Sequence, residues 1–163
     1  MSGQTEHSSV ARVKESFARA DLSPEVRALA DTARTAVDAA NVLGVEVGQI
    51  ASSIVFRIDG PNGESVPLLV VTSGRHRVDT DLVAQELGTQ LHRADADFVR
   101  TWSGFAIGGV SPTGWLHDNN GYLPQTFVDV SLGDYQEVWA AAGHTHVVYR
   151  TCLLYTSPSP RDQ

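Results

Sequence analysis

The sequence predicts a single α+β domain, a mixed, mostly antiparallel sheet with flanking helices packed on one side. Three observations lead there. Two β-branched and aromatic runs, 50–58 and 67–72, enclose the turn-forming stretch Asp59-Gly60-Pro61-Asn62-Gly63. Apolar residues at helical spacing stop at a glycine in three places, Gly44, Gly88 and Gly104. The second half of the chain is dominated by short strand-like runs joined by short loops, which favour antiparallel neighbours. A length of 163 residues, 42% of them hydrophobic, suits one domain with one substantial core.

In chain order, residues 1–10 are polar and serine-rich and are expected to be a disordered tail, with the folded domain running over 11–151. Val13, Phe17 and Ala20 recur at helical spacing over 11–20, and Asp21 to Pro24 end that helix. Val26, Ala28 and Ala30 alternate as a short strand does. Thr35 with Asp38 forms a Thr-x-x-Asp capping box, and Val37, Ala40, Val42 and Leu43 continue an apolar face to Gly44. After the hairpin, Leu82, Val83, Glu86 and Leu87 give a helix, with Asp79 as its cap. Residues 91–94 read as a short strand, and Asp95 caps a helix through Phe98, Val99 and Trp102. The stretch 115–124 is polar and turn-rich, so it is expected to be exposed and mobile. Strands follow at 126–130, 137–142 and from Val147 to Arg150.

Composition limits the function classes. The net charge of −7 argues against a broad electrostatic grip on duplex DNA, because that grip needs Lys and Arg against phosphates. No run of about 18 apolar residues and no basic-then-apolar leader occurs, so a protein of the cytoplasm without a membrane partner is expected. The single cysteine, Cys152, excludes an internal disulfide framework. His144 and His146, separated by one residue, would face the same way on a strand. No third ligand is evident, so neither a metal nor another cofactor is expected.

The segment Gly104–Gly114 holds four glycines and a proline, Gly-Phe-Ala-Ile-Gly-Gly-Val-Ser-Pro-Thr-Gly. It reads either as a tight turn between elements or as backbone that approaches a ligand closely. Ser52 and Ser53 open a strand, where they satisfy backbone groups or face a substrate. Arg77 is a surface charge or a phosphate contact. Asp129 is a buried carboxylate holding a loop amide or a general base. His144 is a solvated loop histidine or a ligand contact. Trp102 and Trp139 fit core packing, whereas Trp115 beside the glycine loop is placed to stack on a base.

Several segments in register resemble the YbaK/ProX family of aminoacyl-tRNA editing domains. These are Thr35-Ala36-x-x-Ala39-Ala40-x-x-Leu43-Gly44, 48–56, Ser73-Gly74-x-x-Arg77-Val78-Asp79, Ala94-Asp95-x-x-x-Val99, Gly108-Gly109-Val110-Ser111-Pro112-x-Gly114, Val128-Asp129 and 138–143. The resemblance implies hydrolysis of the ester of a mischarged aminoacyl-tRNA, typically a tRNA for proline. Its partner would be the acceptor end, with a synthetase or an elongation factor as a further possible partner. It implies that Gly108, Gly109 and Ser52 serve catalysis, and that Ser53, Arg77, Val110, Ser111, Pro112, Asp129, Gly143 and His144 bind substrate. Loop amides would hold the ester carbonyl as it becomes an oxyanion, and a group of the substrate itself would take the place of a protein nucleophile. Many family members carry a lysine where this chain has Ser52, which offers a neutral hydrogen bond instead of a charge. The alternative is therefore a pocket that binds an aminoacyl-tRNA or nucleotide without cleaving it.

Residues 152–163 break the strand pattern with two Ser-Pro pairs. They are expected to be read-through of a transposase sequencing-library adapter, the natural chain continuing past Thr151.

Overall fold

The computed structural model describes residues 8–116 and 124–152. The tail beyond Cys152, the first seven residues and most of the turn-rich stretch before Pro124 lie outside the described residues. Among the described residues the domain has four α-helices and seven strands: α1 (Ser8–Arg19), β1 (Val26–Ala28), α2 (Ala36–Leu43), β2 (Ile50–Asp59), β3 (Ser65–Ser73), α3 (Thr80–Leu87), β4 (His92–Arg93), α4 (Ala96–Ser103), β5 (Gln125–Val128), β6 (Val138–His144) and β7 (Val147–Thr151). The sheet order is β1-β7-β6-β2-β3-β5, with β4 paired to β2 off that path.

Local chemistry sets the helix ends. Thr35 and Asp38 close the capping box of α2, and Gly44 ends it in the left-handed region. Asp79 and Asp95 cap α3 and α4 with their carboxylates, accepting from the amides of Leu82 and Phe98. α1 begins at Ser8, inside the stretch expected to be disordered, because Val10 joins Val13 and Phe17 on one buried face. It ends at Arg19, and two residues on, Asp21 with a φ of 59° lets the Leu22 amide bond back to the Phe17 carbonyl. The apolar face of α2 is narrower than its periodicity suggests. Ala36, Ala39, Ala40 and Leu43 pack inward, while Val37 and Val42 are exposed, as is Leu82 on α3.

Pairing is antiparallel for β1–β7, β6–β7, β2–β3 and β2–β4, and parallel for β2–β6 and β3–β5. Helices lie on both faces of the sheet, not on one. The face with Ala51, Val55, Leu69, Val71 and Tyr149 packs against α1, α4 and the glycine loop, and forms the main core. The other face carries Ile50, Trp139 and Val148 beneath α2, and Ile58, Leu68 and Val70 beside α3. α2 and α3 therefore stand over the same face.

α1 anchors the glycine loop. Arg12 donates to the carbonyls of Gly114 and Ser103 at 3.1 and 3.2 Å, and its guanidinium lies 5.0 Å from the Phe105 ring. Ser9 Oγ donates to the Gly143 carbonyl at 2.7 Å. Gly143 has φ +98°, and a Cβ there would stand 2.8 Å from the Ser9 carbonyl oxygen. Only glycine permits both that conformation and that approach.

Candidate active site

β2 has a partly open edge. Beside β6 it is paired only through Ile50 and Ala51, and beside β4 only through Phe56 and Arg57. Between them, from Ser52 to Val55, no strand among the described residues lies on that side. The Ile50 carbonyl points the other way, toward the Gly74 amide, so by alternation Ser53 directs its backbone N–H and C=O into the gap. A cavity of about 650 Å³ surrounds this edge. It is lined from both faces of the sheet: Ala36, Ile50, Ser52 and Trp139 on the α2 side, and Ser53, Val55, Val99, Gly108 and Val110 on the α4 and glycine-loop side. A mostly apolar cavity with few polar groups is the usual form of a small-ligand site.

The described cavity lining holds no aspartate, glutamate, lysine or cysteine. Its polar side chains are hydroxyls, Arg34, Arg93, His92 and Trp139. Ser53 Oγ and Trp139 Nε1 are buried and have no hydrogen-bond partner among the described residues. A buried polar group left unpaired costs about 1–3 kcal/mol.

In the glycine loop the two adjacent glycines differ in role. Gly108, with φ +92°, lines the cavity, and neither its amide nor that of Val110 has a partner among the described residues. The Gly109 amide is already bonded to the Ala106 carbonyl at 2.9 Å. A Cβ on Gly109 would stand 2.9 Å from the His144 carbonyl carbon and the Thr145 nitrogen. Gly109 thus closes the turn and lets two backbones meet, so it is not a free donor as expected. Ser111 and Pro112 are fully buried behind the loop. The Ser111 carbonyl accepts from Trp115 Nε1 at 2.8 Å, and its Oγ accepts from the Thr113 amide. They shape the loop from behind and do not line the cavity.

Trp115 is 3% exposed, so the stacking platform expected beside the loop is instead a core residue. Trp139 is buried as expected, with Arg27 over its ring at 4.9 Å. Arg77 is exposed and does not line the cavity. His144 also lies off it: its Nδ1 accepts from the His146 amide at 3.1 Å, and Thr145 lines the cavity in its place. Gly143 serves α1, as described above. Among the described residues no three His, Cys, Asp or Glu side chains cluster as metal ligands would.

Asp129 holds a junction outside the cavity. Its Oδ2 accepts from the Ser73 amide at 3.0 Å and meets His76 Nδ1 at 2.9 Å, while Oδ1 accepts from the amide and hydroxyl of Ser131. Burial alone would raise its pKa. The hydrogen bonds from His76, Ser131 and Ser73 outweigh burial and hold the carboxyl well below the usual range. A carboxylate so fully engaged fixes a loop and is not a base. Burial pushes the Tyr149 hydroxyl above the ordinary tyrosine range, so it stays protonated beneath the loop.

Of the residues singled out in the sequence, Ser52, Ser53, Gly108 and Val110 line the cavity; Arg34, His92, Arg93 and Thr145 line it too and were not singled out as site residues. The register of β4 with β2 brings His92 and Arg93 to the cavity, Arg34 reaches it from the segment before α2, and Thr145 from the turn between β6 and β7.

Among the described residues, no helix is long and apolar enough to cross a membrane. A family profile for the aminoacyl-tRNA editing domain matches residues 30–151. The uncharacterized protein YwhH of Bacillus subtilis strain 168 is 30% identical over 135 residues, 83% of this chain and 80% of that protein. The crystal structure of a candidate trans-editing enzyme for prolyl tRNA synthetase is 34% identical with a TM-score of 0.81, over 94% of both chains. The hypothetical protein APE2540 is similar in fold, with a TM-score of 0.69 over 93% of this chain and 90% of that one, at 22% identity.

Proposed function

Since this chain belongs to the aminoacyl-tRNA editing domain family, we propose that it hydrolyses the ester of tRNA for proline carrying a wrong amino acid, acting in the cytoplasm. The carrying observation is the cavity at the open edge of β2, lined by Gly108 and Val110, whose amides have no partner among the described residues. The editing role comes from the family, and the prolyl type is supported by the likeness to the candidate prolyl trans-editing enzyme.

In this reading the aminoacyl group enters on the glycine-loop side, among Val55, Val99 and Val110. The ester carbonyl oxygen turns toward the Gly108 and Val110 amides, which stabilise the negative charge that grows on it. Water adds to the carbonyl carbon and the bond to the ribose oxygen breaks. The proton released by water passes through the neighbouring ribose hydroxyl to the leaving ribose oxygen. The products are the free amino acid and tRNA with both hydroxyls restored. The described lining holds no carboxylate or thiol, and among the described residues none of its hydroxyls is bonded to His92 as an activating base, which supports catalysis by position over a covalent intermediate. Ser53, with an unpartnered Oγ and an open backbone edge, holds the substrate's amino end, and Ser52 lies on the α2 side of the same strand.

Ser52 is also the observation behind the second reading, a pocket that binds without cleaving. Assaying tRNA charged with alanine, cysteine or serine against the chain and against Ser52→Lys separates the two. Ester loss with the unaltered chain supports hydrolysis; ester loss only with Ser52→Lys supports the binder.

A further inference from the structure

The chain is acidic overall, yet the charged side chains among the described cavity lining are all basic or titratable to cations. Arg34 precedes the cap of α2 on one wall. Arg93 lies in β4, in register with Phe56 of β2, on the side toward α3. Both are exposed. Elsewhere Arg19, Arg27, Arg75 and Arg150 are held by carboxylates, and Arg12 by carbonyls. Among the described residues Arg34 and Arg93 join no salt bridge. Asp38 is the carboxylate near Arg34, and it already accepts from the backbone amides of Arg34 and Thr35 at 3.1 and 3.3 Å. Arg57, Arg77 and Arg100 are likewise outside any salt bridge, but they do not line the cavity.

The geometry points to Arg34 and Arg93 as phosphate contacts of this site, gripping the phosphodiester backbone of the tRNA acceptor end on the α2 and α3 face of the sheet while the ester reaches the glycine-loop side past the open edge of β2. Each guanidinium offers a planar fork that matches phosphate oxygens, and no carboxylate in the described lining repels the incoming backbone. The editing reading supplies the occupant. The same chemistry would hold the phosphate of a free nucleotide, and the test separates these sources.

Arg34→Ala, Arg93→Ala and Arg93→Lys are compared with the unaltered full chain on two esters, alanyl-tRNA for proline and 3′-O-alanyl-adenosine, which keeps the ester and lacks every phosphate. Each alanine variant is expected to lose about tenfold in kcat/KM on the tRNA, and about tenfold less than that on the nucleoside ester. The slope of log kcat/KM against log salt should flatten by about 0.7 per arginine removed, with Arg93→Lys keeping the slope. Arg100→Ala, on α4 outside the cavity, should behave as the parent. Tenfold losses of equal size on both esters would overturn the inference, as would tRNA kinetics and salt slopes unchanged in both alanine variants. Where no ester is cleaved by any form, the editing reading fails by itself. Anisotropy of a fluorescent uncharged acceptor-stem hairpin then decides the inference: about tenfold weaker binding by each alanine variant supports it, and equal binding overturns it. Competition by adenosine monophosphate as effective as that by the hairpin would assign the phosphate site to a free nucleotide and overturn the tRNA assignment.

Discussion

Asp129 Oδ2 lies 2.9 Å from His76 Nδ1 and 3.0 Å from the Ser73 amide, so one carboxylate ties the end of β3 to the loop before α3 and to the turn after β5. Its pKa is lowered in the fold relative to about 3.9 in an unfolded chain. A depressed carboxylate contributes its stability fully above the unfolded pKa, and that contribution fades as pH falls through the folded one. Asp129→Asn is therefore expected to destabilise the protein at pH 7 by about 1–3 kcal/mol. Urea unfolding should show the gap to the parent shrinking below about pH 4. A gap that widens as pH falls would contradict this role.

Gly143→Ala tests the seat of α1. The alanine methyl would meet the Ser9 carbonyl oxygen at 2.8 Å from a backbone with φ +98°, where a side chain is strained. A loss of about 2–3 kcal/mol is expected, with α1 amides exchanging faster than those of β2 and β3. An unchanged melting temperature would mean that α1 is not held at this point.

Trp115→Phe keeps an aromatic ring and removes the donor that satisfies the buried Ser111 carbonyl at 2.8 Å. It should lower stability by about 1–3 kcal/mol, and Trp115→Ala by about 3–5. Both are read by thermal melting. A neutral Trp115→Ala would show that the indole is not a core member.

The loop can be tested from behind as well. Gly109→Ala places a methyl against the backbone of His144 and Thr145. The expected outcome is a displaced loop, with ester hydrolysis reduced by at least about 10-fold while the far-UV circular dichroism of the sheet is kept. Parent-like hydrolysis by a folded Gly109→Ala protein would contradict any role for the loop's position.

These cases mark what the chain alone could tell. Thr35, Asp79, Asp95 and the glycines at 44, 88 and 104 act within a few residues of themselves, so the helices they bound were legible. The β2–β3 hairpin was legible for the same reason, since its turn is adjacent in sequence. Trp115 was misread because its partner is the Ser111 carbonyl, a backbone group whose need for a donor leaves no trace in residue identity. His92 and Arg93 were invisible because only the pairing of β4 with Phe56 and Arg57 brings them to the cavity, and Arg34 because only the packing of α2 on the sheet does. Gly109 looked like a donor beside Gly108, and the bond to Ala106 and the contact with the His144–Thr145 backbone distinguish it.

Single-turnover deacylation of alanyl-, cysteinyl- and seryl-tRNA for proline, run in parallel on the unaltered chain and on Ser52→Phe, tests the central claim most directly. Phenylalanine at Ser52 would fill the cavity beside the open edge of β2. The expected result is accelerated ester loss from at least one of the three tRNAs with the unaltered chain, and a return to the spontaneous rate with a folded Ser52→Phe protein. Spontaneous rates throughout, or full activity in the filled variant, would contradict the assignment of editing to this cavity.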